Sequence, residues 1–193
     1  MAATDHSQLI KQDSKDYLTT ALLQLLEKNS YQSINISQVV RRAGVSRMAF
    51  YRNFNSLDDV LIAYFSPIIS ERFSEIIQQI SSDAKLNSLE NYFQEFSETL
   101  KRSVSQGYEP IIRQVFNTNM ELFYNSLPLF AEIKNPERKY YIKFMSDGVY
   151  SIWREWLITD QKEPLETIHR LLSTLQHSTL TALRKAFANS LSF

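Results

Sequence analysis

The sequence predicts an all-α fold of about nine helices, with a small N-terminal three-helix head before a larger C-terminal helical domain. Three observations carry this. Only 3 of 193 residues are Gly and 5 are Pro, so strong helix breakers are scarce. Apolar residues recur at i, i+3, i+4 and i+7 along much of the chain, and no alternating strand pattern interrupts them. Side chains that cap helix N-termini stand just ahead of several of these runs.

Element by element, Leu18, Ala21, Leu22, Leu25 and Leu26 form the stripe of a first helix that ends near Lys28–Asn29. Asn35 and Gln38 are spaced as a capping box, in which each side chain bonds the other's backbone amide. Ile36, Val39, Val40 and Ala43 then give a short second helix. Gly44 suits the left-handed residue that closes it, and Ser46 caps a third helix to about Phe54. Ser56 and Asp59 repeat the capping signature before Leu57, Val60, Leu61, Tyr64, Phe65 and Ile68, a run expected to kink or end near Ser66 because Pro67 has no amide hydrogen. Helical periods follow at about 68–80, 86–105, 109–132, 137–159 and 164–190. Their breaks are expected at Ser81–Asp83, Gly107, Pro128, Asn135–Pro136 and Glu163–Pro164. The division expected is a head over 1–66, its first eight residues a tail, and a second domain over 67–193.

Composition removes several chemistries. There is no Cys, hence no disulfide, thiol nucleophile or cysteine-ligated metal. No apolar run reaches the roughly 18 residues of a membrane span, and Met1 to Gln8 lack the basic and apolar regions of a signal peptide, so a cytoplasmic protein is expected. Twenty-one basic and 21 acidic residues cancel overall, but the balance is uneven. Lys28 to Leu57 holds five cations (Lys28, Arg41, Arg42, Arg47, Arg52) and no carboxylate, whereas Asp58 to Phe193 holds 14 cations and 17 carboxylates. A cationic stretch that coincides with a two-helix corner is the footprint of a nucleic-acid reader.

In such a corner the second helix enters the DNA major groove. On a helical wheel Phe50 and Phe54 share the inner side, with Met48 and Arg52 opposite and Arg47 and Tyr51 beside them. Arg47 and Arg52 are suited to guanine O6 and N7 or to phosphate, and Met48 and Ala49 to a thymine methyl. Asn35, Ser37, Arg42, Ser46, Tyr51 and Asn53 supply donors around the rim for phosphate contacts.

The run from Asn35 to Phe54, with its core Ala43-Gly44-Val45-Ser46 followed by Tyr51 and Phe54, resembles the TetR-family DNA-binding signature. The likeness extends from Tyr17 to Leu61 and includes Tyr31 and the pair Asp58–Asp59. It departs where Leu57 replaces the family's usual phosphate-binding Lys, and where Asn35 and Ala49 stand in place of a frequent Thr. The resemblance implies a homodimer that binds a near-palindromic double-stranded operator, usually as a repressor released by a small molecule. The stretch Phe144 to Leu157, followed by Glu163-Pro164-Leu165, is similar to sensor domains of a Gram-positive TetR subgroup.

Within the second domain, Phe96, Phe116, Met120, Tyr124, Tyr141 and Phe144 are candidates to line a pocket for an apolar or aromatic effector. Gly148, Ile152, Trp156, Leu172, Leu175 and Leu183 are candidates for a four-helix dimer interface in which Gly148 permits close approach. A head answering instead to a partner protein is the alternative. A helical-bundle enzyme or metal carrier is more remote: Glu166 and His169 match a Glu-x-x-His spacing, but di-iron bundles need two copies and this is the only one. No phosphate loop or nucleophile elbow is present, so neither an enzyme nor a metal or organic cofactor is expected.

Overall fold

The computed structural model describes residues 2–78, 96–126 and 133–190, and all regular structure among them is helical. The elements are α1 (Ala2–Leu26), a 3-10 turn (Tyr31–Ser33), α2 (Ile36–Ala43), α3 (Arg47–Asn53), α4 (Leu57–Gln78), α5 (helical over 96–106), α6 (Glu109–Ser126), α7 (Glu137–Ile158) and α8 (Leu165–Ser190). The breaks expected at Ser81–Asp83 and Pro128 lie outside the described residues. The chain divides into two compact units, one of residues 1–71 with 102–115 and one of 72–101 with 116–193.

In the first unit, the stripe of α1 buries Leu18, Ala21, Leu22 and Leu26 as α1 packs on α2 and α3, which bury Val39 and Phe50, and Val60 and Leu61 of α4 are buried as well. Each such side chain contributes up to about 1.5–3 kcal/mol on leaving water, and these few contacts hold three short helices in fixed relation. Tyr108 also belongs here, its ring stacked on Phe65 at 6.2 Å and 18°. It follows Gly107, whose φ of +81° turns the chain after α5, and the Gln32 side-chain amide donates to the Gly107 carbonyl at 3.4 Å.

The residues expected as a tail are helical, α1 starting at Ala2. Of the two alternatives at Pro67, a kink or an end, the helix does not end there: α4 runs through it to Gln78. The ring costs one backbone hydrogen bond. Phe65 and Ile69, at 2% exposure each on either side of it, hold the two halves in one helix by their burial.

In the second unit, α7 and α8 pack as an antiparallel pair. Tyr141 near the start of α7 bonds Thr179 and the Gln176 carbonyl, while Trp153 near its end meets the ring of His169. The turn between them is closed by the Gln161 amide on the Trp156 carbonyl and by the Trp156 indole on the Glu163 carbonyl. α5 joins this pair through the Ser97 hydroxyl, which donates to the Leu157 carbonyl at 2.8 Å, and through Lys101, 2.6 Å from Asp160. Among the described residues no helix is long and apolar enough to cross a membrane.

Candidate nucleic-acid interface

The corner between α2 and α3 is built from local bonds that the sequence spelled out. Asn35 Oδ1 accepts from the Gln38 amide at 3.1 Å, and Gln38 Oε1 accepts from the Asn35 amide at 2.8 Å, so two of the orphan donors of α2 are satisfied at once. At the other end Gly44 sits at φ 67°, ψ 24°, and the Val45 amide reaches back to the Val40 carbonyl at 3.1 Å. A left-handed residue here is what stops α2 and redirects the chain. Two residues on, Ser46 Oγ accepts from the Ala49 amide at 3.1 Å and starts α3.

α3 then presents two faces. Phe50 at 0% and Phe54 at 5% exposure anchor the inner one, their rings 6.0 Å apart. Met48 and Tyr51, 71% and 51% exposed, lie outward together with exposed Arg47 and Arg52. The pairs 47/51 and 48/52 are each one turn apart, which makes the outward set a compact patch about two turns long. No salt bridge engages Arg47 or Arg52 among the described residues; the Arg52 Nε only reaches the Met48 carbonyl at 3.5 Å. Two guanidiniums are thus held on a short rigid helix with their charge still available.

Around the patch, Asn35, Ser37, Arg42 and Ser46 are exposed. Arg42 is steadied from α1, its Nε donating to Gln24 Oε1 at 2.8 Å. That contact spans 18 residues and two helices, so no local spacing signals Gln24 as a positioning group. Two members of the expected set face inward instead. Ala49 is 7% exposed, and Asn53 donates to the Ala49 carbonyl at 2.8 Å with its Oδ1 buried and unpartnered. Both lie next to the buried face of Phe50 and Phe54, and Ala49 is covered by the head's own core.

The carboxylates nearest the corner are occupied. Asp59 Oδ2 accepts from the Asn55 and Ser56 amides at 2.8 and 3.2 Å, and its own amide donates to Ser56 Oγ, completing the capping box of α4. The Asn55 amide foremost holds the Asp59 carboxyl below its usual range. The Tyr31 hydroxyl bonds Asp58 and ties the 3-10 turn to the start of α4; burial, with Asp58 second, pushes that phenol above its usual value. Leu57 is half-buried at the same helix start and supplies no charge there.

In the second unit, Met120, Tyr124 and Tyr141 are buried and Phe96 and Phe116 half-buried. Phe116 meets Tyr150 edge-on at 5.1 Å, and the Tyr124 hydroxyl accepts from Gln176 at 2.7 Å. Burial pushes the Tyr124 phenol up to about 12. Phe144 is 65% exposed and stands apart from this group, because it shares the outward stripe of Tyr140 and Gly148 rather than that of Tyr141 and Met145. Of the residues expected at a dimer interface, Trp156 and Leu172 are 4% and 7% exposed, already used in the subunit's own core. Gly148 and Leu175 are exposed, and Ile152 and Leu183 half-buried. A methyl group placed on Gly148 would meet nothing within 4 Å, so no helix among the described residues exploits its small size. Glu166 is exposed, whereas His169 is half-buried against Trp153, and that burial lowers its pKa. No group of three or more potential metal ligands gathers among the described residues.

Comparison with known proteins is consistent across both units. Residues 18–64 match the family model described as bacterial regulatory proteins, tetR family, and residues 86–178 match the TetR model described as transcriptional regulator C-terminal region. No curated protein gives a significant match. A solved structure described as the dihydroxyacetone kinase operon activator DhaS aligns at 19% identity over 89% of this chain and 96% of its own, with a TM-score of 0.45.

Proposed function

The chain belongs to the TetR family of transcriptional regulators, with a DNA-binding N-terminal domain and a C-terminal regulatory domain, and from that premise we propose that it is a homodimeric, cytoplasmic repressor of a near-palindromic operator. Its head, placed at 1–66, reads a half-site with Arg47, Met48, Tyr51 and Arg52. Asn35, Ser37, Arg42 and Ser46 hold the flanking phosphates. The observation that carries this reading is the outward patch of α3, cationic, unpaired by carboxylates among the described residues and fixed between the Ser46 cap and the buried rings of Phe50 and Phe54.

The regulatory part, placed at 67–193, dimerises through the outward faces of α7 and α8 and takes an apolar or aromatic effector among Phe96, Phe116, Met120, Tyr124 and Tyr141. Support for the interface comes from two solvent-facing stripes of apolar and small residues, Phe144, Gly148 and Ser151 on α7 and Leu171, Leu175, Ser178 and Ala182 on α8. Dimerisation sets the two recognition helices one or more DNA turns apart, and an effector that binds only a wrongly spaced state weakens operator binding. α4, unbroken at Pro67, is the lever.

Selection of bound sequences from a random DNA pool tests the reading directly. A two-fold symmetric consensus occupied by one dimer is expected. An asymmetric or absent consensus, or a monomer on DNA, contradicts it.

A further inference from the structure

The second unit contains a cavity of about 580 Å³ whose walls come from the end of α6 and the start of α7. None of the aromatic residues proposed for the effector lines it. Its charge is cationic: Arg138, Lys139 and Lys143 line it with one carboxylate, Glu121, beside the apolar surface of Tyr140 and Ile142. Lys143 is neutralised, its Nζ lying 3.7 Å from Glu121 and 3.5 Å from Asp147. Arg138 and Lys139 have no carboxylate partner among the described residues.

The Arg138 side chain is oriented by a bond from one terminal nitrogen to the Asn125 carbonyl at 3.1 Å, yet its Nε is buried and has no partner among the described residues. Buried donors are almost always satisfied, and this one leaves the guanidinium short of a partner at the cavity wall. A guanidinium offers two parallel N–H bonds to a phosphate or a carboxylate, and the Lys139 ammonium adds charge to the same wall. At about 580 Å³ the cavity exceeds a bare ion and falls in the range of small-molecule sites, with the exposed Tyr140 ring as its apolar wall.

We propose that this cleft binds a small anionic metabolite, its phosphate or carboxylate group held by Arg138 and Lys139 and its body laid against Tyr140. Sequence reading missed the site by seeking an aromatic pocket. The available signal was four cations in ten residues, Lys134, Arg138, Lys139 and Lys143, around a helix start.

Calorimetric titration of the full chain with inorganic phosphate, and separately with succinate, at fixed ionic strength tests the proposal. Saturable binding of at least one is expected, weakened about 10-fold or more in Arg138→Gln and unchanged in Lys185→Gln, a cation on α8 outside the cleft. Binding of phosphate alone or of succinate alone identifies which acid group the site takes. Absence of saturable binding by either, or equal affinity in Arg138→Gln, overturns it. Should Arg138→Gln not fold, the exposed Lys139→Glu replaces it and is expected to abolish binding; retained affinity then overturns the assignment.

Discussion

Replacing Arg52 by Ala separates a base-reading role from a merely solvated charge. In the free protein Arg52 is exposed, forms no ion pair among the described residues and makes one long bond to the Met48 carbonyl. Its removal is therefore expected to change stability by no more than about 0.5 kcal/mol, as for surface positions generally. On DNA the same truncation loses either a bidentate guanine contact, worth about 1–3 kcal/mol or roughly 5- to 150-fold in Kd, or a phosphate contact. Salt dependence distinguishes the two. A lost phosphate contact lowers the slope of log K against log salt by about 1 and weakens all sequences alike; a lost base contact relaxes preference at one base pair of each half-site. Fluorescence anisotropy on the selected operator and its single-base variants, over a series of salt concentrations, reads both. If Arg52→Ala and Arg47→Ala each leave affinity, slope and preference unchanged while the protein stays folded, α3 is not the reading element and the assignment of this face is wrong.

Three further outcomes follow from the head. Phe50→Ala removes a ring at 0% exposure and is expected to cost about 3–5 kcal/mol in chemical denaturation, with loss of DNA binding because α3 loses its anchor. Gly44→Ala meets no atom within 4 Å, so its cost is conformational alone, about 1–2 kcal/mol for a left-handed L-residue, and a thermal shift beyond that range would point to a contact not seen here. Asp59 has a carboxyl held below its ordinary value of 3.8 by the Asn55 amide. Its stabilising effect is thus fully present above that value and lost as pH falls through the lower, folded one. Unfolding of wild type and Asp59→Asn followed from pH 6 to pH 2 is expected to converge only at the acid end.

The sequence by itself determined the features that depend on a single turn of chain. The Asn35–Gln38 and Ser56–Asp59 boxes, the Gly44 closure, the Ser46 cap and the ends near Gly107 and Pro136 join groups three to five residues apart, so spacing alone encodes their bonds. The same holds for the opposition of Phe50 and Phe54 to Arg47 and Arg52 on one short helix.

Only the tertiary structure decided what each face meets, because burial depends on a neighbouring helix that local periodicity does not name. Packing keeps α4 continuous through Pro67, covers Ala49, spends Trp156 and Leu172 inside the subunit, and leaves Phe144 in solvent. It also brings Gln24 to Arg42 and leaves the Arg138 Nε without a partner among the described residues. The opening motif was legible because its bonds are local; the anion cleft was not, because its walls come from the ends of two helices that meet only in the folded unit.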